Sequence, residues 1–149
     1  MKVLGLTGRV GSGKNEVAKI LQKLGVIVLD ADTLGHDILD HDVAIRDRVA
    51  FAFPDSYDPK TQSIDRKILS DSVFTKREKL LTLNQIIHPV LREQIVVEVA
   101  KHKQESKADA LVINGALVHQ LGLKELCDHI WVVDAETSVL MNRLRTRGW

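Results

Sequence analysis

Gly8, Gly11, Gly13 and Lys14 stand close together in "GLTGRVGSGKNEVAKIL" (5–21), and their types suit the binding of an anion. Such glycines let the backbone turn its N–H groups inward around a phosphate, and a following helix adds its positive end. Gly11, Ser12, Gly13 and Lys14 would hold the phosphate chain of a nucleotide, with Lys14 reaching its β- and γ-phosphates. The next position in such loops supplies a hydroxyl for Mg²⁺. Here it is Asn15, whose amide oxygen can touch a metal but does not match a hydroxyl in reach or hydrogen bonding. Glu16 adds negative charge beside the phosphates. Asp30 and Asp32 form a second candidate group. Carboxylates two residues apart at a strand end can face a bound ligand, one serving as base toward a substrate hydroxyl. Asp32 equally suits the cap of a helix starting near Thr33. Both readings stand at this point.

The elements that must position these groups are legible as apolar runs. "KVLGLT" (2–7), "VIVLD" (26–30), "ALVIN" (110–114) and "HIWVVD" (129–134) lack clean alternation, as expected of strands covered on both faces of a parallel sheet. Between the first two, Val17, Ala18, Ile20, Leu21 and Leu24 recur at helical spacing, and Gly25 follows as a stop. Strand, loop, helix and strand make a βαβ unit, and the fold class is α/β. Residues 31–108 read as a mostly helical insertion. It comprises a helix ended by Pro54, a loop over 56–63, two helices in "IDRKILSDSVF" and "KREKLLTLNQII", and a long helix restarted by Pro89. Residues 137–147 begin a last helix carrying Arg143, Arg145 and Arg147. The core is then 1–30 with 109–149, in one domain.

Bulk properties narrow the function further. The 149 residues are about one domain's worth, 44% hydrophobic and 28% charged, as in ordinary globular chains. A net charge of +1 points to neither nucleic acid nor an acidic membrane surface. The single cysteine, Cys127, forms no internal disulfide and suits a reducing compartment. The opening apolar run is too short for a signal peptide or a spanning helix, so a cytoplasmic protein is expected. Six histidines and the cysteine show no zinc spacing. Cys127, Trp131 and His88 read as packed residues, and "KHKQESK" (101–107) as a solvated helix end.

Taken together, "LTGRVGSGK", "LGVIVLDAD" followed by His36, "IDRKILSDSVF" (64–74) and "IIHPV" (86–90) make the chain resemble the dephospho-coenzyme A kinases. The resemblance spans essentially all of the sequence, with four motifs in order. It implies a P-loop-type parallel sheet flanked by helices, with the insertion receiving substrate. It also implies ATP- and Mg²⁺-dependent transfer of the γ-phosphoryl group to the ribose 3′-hydroxyl of dephospho-CoA, the last step of coenzyme A biosynthesis. Asp32 would accept the hydroxyl proton, and His36 and Arg66 would face the substrate. The implied partner is a small molecule, with no nucleic acid or membrane.

Departures from the pattern carry their own expectations. Asn15 replaces the metal-binding hydroxyl, Asn114 takes an acidic position in "NGALVHQ" (114–120), and Gln120 takes the place of a Glu. Neutral amides predict weakened Mg²⁺ binding through Asn15 and slower transfer, by on the order of a hundredfold per lost charge. Arg143 and Arg147 match the start of the family's lid, and the chain is expected to stop short of the rest of the lid and of a fifth strand, leaving "IWVV" on an edge. Three readings compete. The first is the kinase, and the second is a family member that binds nucleotide or a CoA-type ligand without turnover. The third is another small-molecule kinase such as a shikimate or nucleoside monophosphate kinase, against which "IDRKILSDSVF" and "IIHP" argue.

Overall fold

The computed structural model describes residues 1–9, 11–116, 118 and 120–146. Along the chain run β1 (Lys2–Gly8), α1 (Lys14–Lys23), β2 (Ile27–Asp30), α2 (Ala31–His41), α3 (Val43–Ala52), β3 (Tyr57–Asp58) and β4 (Ser63–Ile64). They are followed by α4 (Arg66–Phe74), α5 (Arg77–Glu105), β5 (Ala110–Asn114), β6 (His129–Val133) and α6 (Thr137–Thr146). The contacts divide the chain into two units, residues 1–32 with 94–149, and residues 33–93.

The first unit is built on a four-stranded sheet in the order β2-β5-β1-β6. Every pairing is parallel, with Leu4 opposite Val112, Leu6 opposite Trp131 and Val28 opposite Val112. Four expected strands are therefore found where the apolar runs placed them. Val3, Leu6, Leu111, Val112 and Ile113 are buried, which explains why these strands need no polar alternation. Leu6, Ala18 and Val112 form a cluster against which Val17 and Leu21 of α1 pack. α1 ends as anticipated at Gly25, whose φ of +87° only glycine adopts freely. Trp131 departs from expectation. It is 51% exposed on β6, at the edge of the described sheet, and so is not a core residue.

The second unit is mainly helical. Asp42 caps α3 by accepting from the Ile45 N–H at 3.0 Å, and Asp65 caps α4 by accepting from Lys67 and Ile68 at 3.0 and 3.1 Å. Ile45, Val49, Phe53, Ile64, Leu69 and Val73 are buried. Two expectations are corrected here. The stretch 56–63 is not wholly loop, because β3 and β4 pair as a short antiparallel hairpin. Pro89 does not restart a helix but lies inside α5, which is continuous from Arg77 to Glu105. Proline already has a helical φ, so the cost is mainly one missing N–H bond and crowding of the preceding turn. Burial of Ile86, Leu91, Ile95 and Val99 along the same helix offsets it. Among the described residues no helix is long and apolar enough to cross a membrane.

Candidate active site

The segment between β1 and α1 is shaped as an anion cradle. Gly11 and Gly13 have φ of +83° and +98°, where a side chain would be strained. Gly13 is the N-cap of α1 and brings no side-chain cap, so the first-turn N–H groups are left for whatever occupies the loop. Ser12 is buried between the glycines, and its Oγ has no hydrogen-bond partner among the described residues. The loop borders a cleft of about 170 Å³ shared with Lys14, Asn15, Asp32 and Ala116. Pockets that enclose a whole small ligand start at roughly 300 Å³. This one has the size for a phosphate chain.

Lys14 and Asp32 meet at the cleft. The Lys14 Nζ lies 3.8 Å from the Asp32 Oδ2, with the lysine side chain 11% exposed and the aspartate 57%. Two local features set this geometry. Asp30 Oδ1 accepts the Asp32 N–H at 3.0 Å, so α2 begins directly off the tip of β2. Asp32 therefore sits in the first turn of α2 and is not the cap residue at its boundary. The second feature is Gly115, after β5. A Cβ there would stand 2.9 Å from the Ala31 Cβ and 4.0 Å from the Asp32 Oδ1. Only a glycine lets this backbone approach so closely.

Cations surround the loop as well. Arg143, exposed on α6, donates from Nη1 to the Gly11 carbonyl at 2.9 Å. Arg9, which also borders the cleft, donates to Asp134 Oδ1 at 2.7 Å and to the Ala135 carbonyl at 2.9 Å. That hydrogen bond from Arg9, with a second from the Ala135 N–H, holds the Asp134 carboxyl below its ordinary pKa. Glu16 is exposed and its Oε1 lies 3.5 Å from Lys19 Nζ, which draws its charge toward a neighbouring turn. Arg9 and Asp134 carry no sequence signature, since a loop position between glycines accepts any side chain. Only the pairing of β1 with β6 brings them together.

Asn15 and Asn114 also meet. Asn114, on the last residue of β5 and 3% exposed, donates from Nδ2 to the Asn15 Oδ1 at 3.2 Å. Its own Oδ1 is buried without a partner among the described residues. The loop fits phosphates: it offers open N–H groups, an orphaned hydroxyl and a mostly buried ammonium. It does not fit a protein seat for Mg²⁺. The oxygens at the expected place are neutral amides, one already accepting a hydrogen bond, whereas Mg²⁺ favours hard and preferably anionic oxygens. Among the described residues no group of three or more His, Cys, Asp or Glu side chains could hold a metal ion.

Among the described residues, the other expected site residues are not among those that line the cleft. His36 on α2 and Arg66 in the first turn of α4 are both exposed and belong to the second unit. Arg147 lies outside the described residues. Gln120 is exposed and does not border the cleft. His88 is half-buried, and burial lowers its pKa toward the neutral imidazole, as a packed histidine requires. Cys127 is half-buried near β1, and burial followed by the charge of Asp128 pushes its thiol up.

A parallel sheet whose first strand runs through a glycine loop and a lysine into a helix defines the P-loop class of α/β proteins. Comparison with known proteins narrows the class. The dephospho-CoA kinase family model matches residues 2–148. The dephospho-CoA kinase of Dehalococcoides mccartyi is 35% identical over 147 residues, covering 99% of this chain and 73% of that protein. The one from Fusobacterium nucleatum is 36% identical over 146 residues, covering 97% and 72%. Among solved structures, TT1252 from Thermus thermophilus superposes with a TM-score of 0.78 at 25% identity, covering 98% of this chain and 72% of the other. A dephospho-CoA kinase from Campylobacter jejuni shares the fold, with a TM-score of 0.63 at 19% identity, covering 99% and 96%. The chain belongs to the dephospho-CoA kinase family, whose members are ATP-dependent kinases. The names of these relatives favour the kinase reading over a member without turnover.

Proposed function

We propose that this chain transfers the γ-phosphoryl group of ATP to the ribose 3′-hydroxyl of dephospho-CoA. The observation that carries the reading is the 3.8 Å approach of Lys14 Nζ to Asp32 Oδ2 at the mouth of the glycine cradle. Gly11, Gly13 and the N-terminus of α1 hold the phosphates through backbone N–H groups, and Ser12, whose N–H donates to the Arg9 carbonyl at 3.1 Å, offers its Oγ. Lys14 neutralises charge on the β- and γ-phosphates. Asp32 accepts the proton of the 3′-hydroxyl as its oxygen bonds to the γ-phosphorus, and the bond to the bridging β–γ oxygen breaks to release ADP. Such transfer needs little covalent help from the protein, so positioning and charge do most of the work.

Arg143 is the cation on α6 nearest the loop, and on this reading it exchanges the Gly11 carbonyl for a phosphate oxygen. Arg147 would join it as a lid residue. His36 and Arg66 are assigned to dephospho-CoA on the family resemblance. Magnesium enters only as the companion of the nucleotide's own phosphates, because the residues supply no seat for it. The working compartment is taken to be the cytoplasm.

The test is direct. Purified protein with ATP, Mg²⁺ and dephospho-CoA should form CoA and ADP in equal amounts. Shikimate or AMP in place of dephospho-CoA should give ADP no faster than ATP alone. Equal turnover with either substitute would overturn the substrate assignment.

A further inference from the structure

We propose that Asn15 and Asn114 act as one neutral couple, in which the Asn114 amide fixes the Asn15 side chain and frees nucleotide binding from a strong need for a divalent cation. The inference rests on the nucleotide reading of the cradle given above. It concerns how the phosphates are balanced, not which acceptor receives one.

The two residues are 99 positions apart and are joined by the 3.2 Å hydrogen bond from Asn114 Nδ2 to Asn15 Oδ1. That contact ties the first turn of α1 to the tip of β5. A carboxylate at position 114 would place a second acceptor where this donor now stands. It would also put a full negative charge at a residue 3% exposed, next to Asn15 and in a hollow that Asp30 also lines. A buried charge of that kind is costly unless a cation answers it. An acid there, with Asp30 lining the same hollow, therefore calls for a cation.

The amide removes the requirement by removing the charge. Cations already present face the same region: Lys14 borders the cleft, Arg9 borders it too, and Arg143 Nη1 is 3.8 Å from where a Cβ on Gly13 would lie. Asp32 and Glu16 are the carboxylates that border the cleft, and Glu16 leans toward Lys19. The helix end and the loop N–H groups add further positive potential. Lys14 already faces Asp32 and Arg9 already faces Asp134, so Arg143, the helix end and the loop N–H groups are what the protein adds toward the phosphates.

The couple also makes a reciprocal prediction. Asn114→Asp alone makes the Asn15 amide turn over to donate to a carboxylate, and Asn15→Ser alone exchanges the amide oxygen for a hydroxyl of shorter reach, which weakens the link from Asn114. The double variant, Asn15→Ser with Asn114→Asp, sets the shorter hydroxyl opposite a carboxylate and takes away the amide donor that the single Asn114→Asp variant keeps. Its neighbouring acid then calls for a cation.

The experiment is a calorimetric titration of ADP into the full chain and its three variants, with 5-fold excess Mg²⁺ over nucleotide or with EDTA (roughly the range in which nucleotide is saturated or stripped). Melting temperatures of the unliganded proteins are measured in parallel. The unmodified chain should lose less than about 3-fold in ADP affinity when Mg²⁺ is removed, and the double variant more than about 10-fold. Each single variant should melt lower than the unmodified chain, and the double variant, which has lost the amide donor facing the acid, lower than Asn114→Asp alone. A loss of 10-fold or more in the unmodified chain overturns the proposal while leaving nucleotide binding intact. Additive melting shifts in the two single variants would overturn it as well, by showing the residues uncoupled. No ADP binding under either condition overturns the nucleotide reading, and the inference with it.

Discussion

Replacing Asp32 by asparagine separates the catalytic role of this carboxylate from its structural role. The change is isosteric, and the Asp30 carboxylate contact that starts α2 goes to the Asp32 backbone N–H, so the first turn should persist. What is lost is a proton acceptor and a negative charge 3.8 Å from Lys14. A positioned general base contributes about 10²–10⁴-fold, so kcat should fall on the order of a thousandfold. Binding should move the other way. At 3.8 Å and an effective dielectric near 20, the pair's attraction would be about 4 kcal/mol. Asp32 is 57% exposed, however, and water screens such a pair to about 1 kcal/mol or less. Freed from that partner, Lys14 should hold ADP up to about 5-fold more tightly. Steady-state CoA formation and ADP calorimetry on the same preparation read both effects. If D32N keeps more than a tenth of the kcat, Asp32 is not the base. If it loses activity and ADP binding together, the loss is one of folding or site assembly.

Gly115→Ala would bring a methyl group to 2.9 Å from the Ala31 Cβ, a contact neither backbone can relieve without moving. It should cost about 1–3 kcal/mol in stability and displace Asp32, so that melting temperature and kcat fall together. His88 is held below its ordinary value of 6.5 by burial, so its folded form binds the proton less readily than the unfolded chain. Stability should therefore be full above about pH 6.5 and decline as the pH falls below it, and His88→Gln should flatten that decline in urea melts. Arg9→Ala removes the main group that lowers the Asp134 pKa, so the Asp134 carboxyl, followed by NMR titration, should rise toward its ordinary 3.8. Little change in melting is expected, because both members of that pair are exposed.

The sheet was legible because burial on both faces leaves an unbroken run of Val, Ile and Leu, a signal carried by each strand alone. The loop was legible for the same local reason: its glycines and lysine fall within residues 8–14. What escaped depends on context. β3 and β4 are two residues each and include Asp58 and Ser63, too short and too polar to show a period. Pro89 looked like a helix start because proline commonly stands there, yet its φ fits a helix interior, and buried residues on both sides carry the helix through. Trp131 looked like core because it is large and lies in a strand, but β6 has a neighbour on one side only in the described sheet. In the site, Asn15 and Asn114 could each be singled out by residue type. Their hydrogen bond could not, because it exists only once β5 lies beside β1. The hold of Arg143 on Gly11 is non-local in the same way, spanning 132 positions.

On this reading the glycine loop with Lys14 and the Asp32 carboxylate work on one phosphoryl group. Incubation with ATP carrying oxygen-18 on the non-bridging γ-phosphoryl oxygens, followed by mass spectrometry of the nucleotide pool, tests it most directly. The label should appear in the 3′-phosphate of CoA, at a rate abolished by Lys14→Met and cut on the order of a thousandfold by Asp32→Asn. Label released as inorganic phosphate with dephospho-CoA left unchanged would contradict it.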